Sequence, residues 1–523
     1  MSKMHAGKQE TKEDLTGKDR FAWNVVTSLG SYFFVLIPGF VMPRLIDGYQ
    51  GSAALGVWDF CWAFVNYLRI SGFGVGSSTS RYVAKHRAEK NVDAMRNAVS
   101  TVMSIQLIVA IFVLIVTVVL SHWLPIKFAE SLGDLAGETG LVVIFLGGSL
   151  VLYFAFDSFR GVITGCHRWD VHNAIIAGTH GVNLACMILV LVAGGGLVAL
   201  SATYFSIILL GELVRVYWAF KVCPDLKLGV GYVTWKRAKK MIRFGVKTSL
   251  VGFAPILVVQ TTSVLVMGAM GAAVLAVFTR PVSLIRHVGT FVGKYSFVLI
   301  PMAGSIQADK DESELRSFML EATRYGVSFT LPIVLFLAMF GDRILHYWMG
   351  ADYAEWGLIA ILAMGYFLPI SQSPVMKILV GLNAHGRAAF WVLGVTAVTY
   401  IPAALYIESV GWSLTAAAWL VSIPMTASLG IAVPLYACFR LNISIGRFVR
   451  EVFFAPVLCC AVYLALMVGA RVGLEHRLDL AMLLGGFLGG LVLLPLYWVW
   501  IAPDSLKKKI AGKVKKVLGK SVK

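Results

Sequence analysis

The sequence predicts an all-α polytopic membrane protein: about 14 transmembrane helices, arranged as two six-helix lobes related by an internal repeat plus two C-terminal helices. Three observations lead there. Of the 523 residues, 58% are hydrophobic and only 14% charged, with a mean hydropathy of +0.77, more apolar surface than a soluble globular chain needs. The apolar residues fall in long runs, whereas a membrane β-barrel would show weak alternation. The chain also repeats itself about 220 residues on. Gly51-Ser52-Ala53-Ala54-Leu55-Gly56-Val57-Trp58 returns as Gly271-Ala272-Ala273-Val274-Leu275-Ala276-Val277-Phe278. Ala88-Glu89-Lys90 with Met95-Arg96 returns as Ala308-Asp309-Lys310 with Leu315-Arg316, and Gly165 with His167 returns as Gly381 with Asn383.

Taken in order, residues 1–20 are polar, hold no apolar signal-peptide core, and read as a cytoplasmic N-terminal segment. The N-lobe, 21–221, holds spans near 21–43, 52–76, 98–121, 140–160, 173–194 and 199–220. A basic linker, 222–243, contains Trp235-Lys236-Arg237 and Lys239-Lys240. The C-lobe, 244–440, holds spans near 244–268, 272–300, 318–341, 356–380, 389–409 and 411–437. Two helices outside the repeat, near 452–472 and 478–502, fill 441–502. The tail, 503–523, is Lys-rich with Leu506, Ile510, Val514, Val517 and Leu518 at helical spacing, a pattern for a short amphipathic helix on anionic lipid.

The net charge of +18 first brings nucleic acid to mind, but its placement argues for topology. Roughly 32 basic residues fall in alternate loops and about 5 in the others, which puts both termini in the cytoplasm and excludes nucleic acid as the partner. Of seven cysteines, Cys61, Cys186, Cys459 and Cys460 lie in spans, and Cys166, Cys223 and Cys438 at the cytoplasmic side. They imply neither a disulfide framework nor a metal site. No phosphate-binding GxxxxGK[ST] loop, HExxH or GxSxG motif stands out, and the outer loops are too short for a catalytic domain. The reading is of a transporter with no catalytic residues, metal or cofactor.

Charges inside spans are the informative residues, since each costs about 2.5–3.5 kcal/mol at mid-membrane on insertion scales. The eighth span carries Arg280, Arg286, His287 and Lys294 beside Pro281, which is expected to kink or loosen it. Arg280, His287 and Lys294 recur at sevens and form one stripe, with Arg286 turned away from it. The second span, its repeat counterpart, carries Asp59, Asn66 and Arg69 among Trp58, Trp62 and Tyr67. The repeat sets the two helices across one cationic cavity, suited to a lipid-borne phosphate or diphosphate, which guanidinium forks and a lysine bind well. The plainer alternative is that Asp59 neutralises Arg280 or Arg286 and Lys294 snorkels to the interface. Glu212 with Arg215, and Asp157 with Arg160, stand three apart and read as pairs. Asp59, Glu212 and Asp157 are the candidates for coupling to a proton or sodium gradient.

On these residues the chain resembles a known family. Pro38-Gly39, Gly51 to Trp58, Gly72-Phe73-Gly74 and Arg81-Tyr82-Val83-Ala84 are similar to the start of bacterial oligosaccharide (O-antigen type) flippases. Phe340-Gly341-Asp342-Arg343-Ile344-Leu345, Trp348-Met349-Gly350 and Tyr353-Ala354 resemble the same family further on. This is the polysaccharide biosynthesis export family of the multidrug/oligosaccharidyl-lipid/polysaccharide exporter superfamily. The resemblance covers about 1–440. It implies a V of two lobes around a cationic cavity, alternating access, and export of undecaprenyl-diphosphate-linked glycan across a bacterial inner membrane for cell-surface polysaccharide (lipopolysaccharide O-antigen or exopolysaccharide). Polysaccharide polymerase and glycosyltransferases are the protein partners it brings into view. The rivals are a drug/cation antiporter of the same superfamily, a lipid II flippase, and a membrane glycosyltransferase or polymerase.

Overall fold

The computed structural model describes residues 21–72, 74, 76–233, 235–309, 311–503 and 507, and among them there is no strand. The helices, in order, are α1 (Phe21–Arg69), α2 (Gly76–Ala88), α3 (Val92–Lys127), α4 (Ala129–Leu132), α5 (Ala136–Gly165), α6 (Trp169–Val192), α7 (Leu197–Val222), α8 (Trp235–Met270) and α9 (Ala272–Phe297). They continue as α10 (Leu299–Ala308), α11 (Glu312–Met349), α12 (Trp356–Ser371), α13 (Ser373–Gly381), α14 (His385–Val410), α15 (Leu414–Met425), α16 (Val433–Arg440), α17 (Ile445–Gly473) and α18 (Leu478–Trp500). A π-helical stretch, Thr426–Ala432, joins α15 to α16. Helices are what lipid demands, because each peptide group then bonds within its own segment.

Among the described residues, twelve helices are long and apolar enough to cross a membrane. The expected fourteen are not reached, for two local reasons. Val26–Gly72 counts once, although Gly51, at φ 85° and ψ 166°, breaks α1 into two helices. And α9, 26 residues long, carries the basic stripe and is not among the twelve. Pro281 lies inside α9 without ending it. The basic linker is shorter than expected, since α8 begins at Trp235, and the basic tail beyond Lys507 lies outside the described residues.

The repeat is visible in the backbone. Gly271 precedes α9 at φ 84° and ψ 176°, matching Gly51, and this region of φ/ψ is open only to glycine. His167 and Asn383 both adopt positive φ, 58° and 54°, at matching turns. Asn91 caps α3 through Ala94 N, and its counterpart Asp311 caps α11 through Ser313 N and Glu314 N. A Cβ on Gly165 would lie 2.8 Å from Ser80 O and 2.7 Å from Val83 Cβ; on Gly381 it would lie 2.5 Å from Ile300 O and 3.0 Å from Ala303 Cβ. Ile300 and Ala303 are the counterparts of Ser80 and Val83, so α2 on α5 and α10 on α13 are one packing motif made twice.

Two compact units result. The first takes its described residues up to Tyr49, Leu68–Ala129 and Asp134–Val246; the second takes Gln50–Tyr67, Glu130–Gly133 and the residues from Lys247 on. A core of Val83, Val99, Val162, Ile163 and Ile175 fills the first unit near the α2–α5 junction. The second has a matching core around Ala303, Met319, Ile378 and Val392. The second half of α1 belongs to the second unit, where Tyr67 Oη and Thr261 Oγ1 lie 2.5 Å apart. There, too, α17 and α18 are fastened to α11. Arg471 donates to both Asp342 oxygens at 3.3 and 3.2 Å and lies over the Trp356 ring, while Tyr497 Oη donates to Ser328 O at 2.7 Å.

Replacing Gly51 or Gly271 by alanine puts a Cβ on a left-handed φ, at a cost of roughly 1–2 kcal/mol. Each variant should show a lower Tm in detergent. A Tm equal to that of the parent for both would overturn the glycine-dependent break.

Candidate functional site

Asp59 and Arg280 come together inside the second unit because the second half of α1 packs on α9. Gly56 allows this approach: a Cβ there would run into the Ala272 backbone at the start of α9. Arg280 Nη2 donates to Asp59 Oδ2, and Thr279 Oγ1 donates to the same oxygen at 2.5 Å. Nη2 also lies 3.0 Å from Thr279 Oγ1. Asp59 therefore touches its own repeat counterpart, Thr279. Arg280 is 3% exposed, and its Nε is buried without a protein acceptor. An ion pair this deep is held by mutual need, since either charge alone would face a desolvation cost of several kcal/mol.

Along α9 the stripe opens outward. Arg280 is buried, His287 half-buried and Lys294 exposed. Arg286, turned off the stripe, is exposed, with Nη2 3.4 Å from Ser283 Oγ. Asn66 is half-buried on the second half of α1. Arg69 falls in the first unit instead, 6.0 Å above the Tyr153 ring, where Arg160 also sits at 5.5 Å. Of the residues expected in one cavity, the second unit thus joins Asp59 to Arg280 in a pair and leaves Arg286 and Lys294 reaching outward.

The first unit holds a second charged cluster. Asp157 Oδ1 lies 2.5 Å from Arg160 Nη2, and its Oδ2 accepts from Gln106 Nε2 at 2.7 Å. Gln106 Oε1 accepts in turn from Ser158 Oγ. Glu212 pairs with Arg215. Asp157, Glu212 and Arg215 are 5%, 5% and 8% exposed. The charges of Arg160 and Arg215 both act on Asp157, and Arg160 acts on Glu212 as well, so the two pairs form one electrostatic group. Gln106 and Ser158 escaped a search for charges because both are neutral. The signal was there in an amide standing alone in the apolar run of α3.

The repeat provides a control for this cluster. The counterparts of Gly76, Gln106 and Asp157 are Ser296, Gly326 and Ser373, and Ser296 Oγ lies 2.9 Å from Ser373 Oγ. The fold makes the same helix junction with two hydroxyls and no charge. The counterpart of α7 has no charged residue from Leu414 to Phe439, so Glu212 and Arg215 have no equivalent there. The packing motif does not require Asp157, Gln106, Glu212 or Arg215.

The family profile described as polysaccharide biosynthesis protein matches residues 83–357, just over half of the chain. The chain belongs to the polysaccharide biosynthesis protein family. Within curated proteins this family member is similar to a Shigella flexneri protein named as a candidate O-antigen transporter, at 21% identity over 326 residues, 61% of this chain and 74% of that one. Among solved structures it is similar to the lipid II flippase MurJ in an inward closed conformation: TM-score 0.67, 14% identity, 91% of this chain and 98% of that one. It is similar as well to an inward-facing multidrug resistance MATE family transporter of the MOP superfamily: TM-score 0.62, 16% identity, 79% and 98%. At such identities the likeness shows the fold, that of a multi-pass helical membrane protein.

Substituting Asp59→Asn leaves a buried Arg280 with a neutral partner. The expected loss is about 3–5 kcal/mol, read as a lower Tm in detergent. The double variant Asp59→Asn with Arg280→Gln should recover part of it. Equal Tm for the parent and both variants would remove this pair from the stability of the second unit.

Proposed function

We propose that this family member is a flippase. It carries a polyprenyl-diphosphate-linked oligosaccharide from the cytoplasmic to the outer leaflet of a bacterial inner membrane by alternating access, for cell-surface polysaccharide assembly. The observation that carries the reading is the set of cationic residues on α9. Arg286 and Lys294 reach outward from a membrane-length helix whose Arg280 is neutralised by Asp59. Family membership, the name of the Shigella flexneri relative and the flippase fold support it in the same direction.

Diphosphate carries its charge on oxygens that guanidinium and ammonium groups bind with charge-assisted hydrogen bonds. Arg286 and Lys294 receive it first. The charge of Arg280 is already paired with Asp59, so the diphosphate gains from it only by competing with a carboxylate. That competition keeps binding moderate, as release on the far side requires. The buried group of Asp157, Arg160, Glu212 and Arg215 is the place we assign to coupling, since the repeat packs without it. A proton or a cation taken up there alters a balance of two acids and two bases in low dielectric, where each charge is felt strongly.

Proteoliposomes holding a fluorescent polyprenyl-diphosphate oligosaccharide test the first part. Arg286→Ala and Lys294→Ala should each slow flipping about 10-fold or more, as the loss of a charged hydrogen bond of roughly 1.5–3 kcal/mol predicts. Undiminished rates in both would sink the cationic-site reading, and uptake of cationic drugs by the parent would favour the antiporter. For coupling, an imposed pH or sodium gradient should accelerate the parent and leave Asp157→Asn unaccelerated. Equal acceleration of the two would take Asp157 out of coupling.

A further inference from the structure

The first unit contains a cavity of about 700 Å³ between the start of α1, α6 and α7. Its volume is that of a small-molecule site. Most of its wall is apolar, with Ile175, Val182, Leu210 and Val214 facing it along two membrane-spanning helices. Gly178 lines it and faces open space: a Cβ there would meet nothing within 4 Å. The end where α1 and α6 begin and α7 ends is different in kind. Trp23, Trp218, Arg168 and Asp170 line it. Arg168 donates to Asp170 through Nε at 2.9 Å and Nη2 at 3.0 Å, and Lys221 Nζ lies 4.6 Å over the Trp218 ring. One guanidinium, one carboxylate and two indoles thus stand at the mouth of an apolar slot, with the Lys221 ammonium beside one of the indoles.

The second unit shows that this mouth is not a requirement of the fold. The counterpart of Gly178 is Gly394, likewise with nothing within 4 Å of an added Cβ. The counterparts of Arg168 and Asp170 are Ala384 and Gly386. One copy keeps the helices and their glycine but lacks the Arg168–Asp170 pair.

We infer that this slot binds one acyl chain of an anionic glycerophospholipid, with the lipid phosphate at Arg168 and Lys221. Three features match that occupant. The apolar depth matches a hydrocarbon chain, and the tryptophans sit where amphipathic rings meet the polar boundary of a bilayer. The mouth is net cationic, and a guanidinium has five N–H donors, more than one carboxylate takes. The site is separate from α9 and holds whether or not the flippase reading does.

The full-length protein in phosphatidylcholine nanodiscs, doped with phosphatidylglycerol carrying a photoactivatable acyl chain, provides the test. After illumination, mass mapping should place adducts on 175–182 and 207–214 above other lipid-facing helices. Gly178→Phe, or Val182→Trp should that variant not fold, should lower them about tenfold and leave adducts elsewhere unchanged. Arg168→Gln should erase the preference for phosphatidylglycerol over an equally labelled phosphatidylcholine. Even labelling of all lipid-facing helices would overturn the site. Equal labelling by the two lipids in the parent would overturn the anionic head, and full displacement by a polyprenyl phosphate would hand the slot to a polyprenyl tail.

Discussion

Hydrocarbon does not solvate charge, and much of this structure is the consequence. Where an ionic side chain is buried, a partner comes with it. Asp59 holds Arg280, Asp157 holds Arg160, Glu212 holds Arg215, and Asp342 holds Arg471. Three of these acids also fix helices. Asp59 ties the second half of α1 to α9; Asp342 ties α11 to α17. Asp157, through Gln106, ties α5 to α3. The charges that lack such depth, Arg286 and Lys294, stand at exposed positions. Burial therefore sorts the basic residues of α9 into one that holds the structure and two that stand at its exposed surface.

Most of the fold was legible in the sequence. Long apolar runs located the helices, and the repeat predicted matched elements at matched places, down to Gly51 with Gly271 and His167 with Asn383. The sequence separates spans near 21–43 and 52–76, on either side of the Gly51 break, and includes α9 near 272–300; counting whole helices by length and apolarity merges the first two and leaves α9 out. Of the site, the pairings Asp157–Arg160 and Glu212–Arg215 followed from spacing on a helix face. The choice of Arg280 over Arg286 as partner of Asp59 did not. Spacing gives a direction around a helix and says nothing of the register between two helices, which Gly56 sets through its approach to Ala272. Gln106 was missed for a different reason: a neutral hydrogen-bonding group in a span is common, and only its neighbours mark it out.

An internal repeat separates what packing needs from what is added to it. Both units keep the small residues that let α2 meet α5 and α10 meet α13, and both keep the turn at His167 or Asn383. Only the first unit adds buried acids and bases at the α2–α3–α5 junction, and only it has the Arg168–Asp170 pair at the end of the α6–α7 slot. A hydroxyl pair, Ser296 with Ser373, satisfies the same junction in the other copy. The duplicated scaffold carries two chemistries.

The π-helical stretch Thr426–Ala432 bears on the phase of the chain that follows it. A π turn holds one residue more than an α turn, and one residue is about 100° of rotation. The faces of α16 are therefore set by this wide segment. Ala437 and Cys438 point into the core of the second unit only while the extra residue is accommodated there. Thr426 Oγ1 donates to Gly365 O at 2.8 Å and Ser422 Oγ to Ile361 O at 3.2 Å, pinning the segment and the helix before it to α12. Deleting a single residue between 426 and 432 would leave every side chain of α15 in place and turn α16 about its axis, bringing Arg440 round with it.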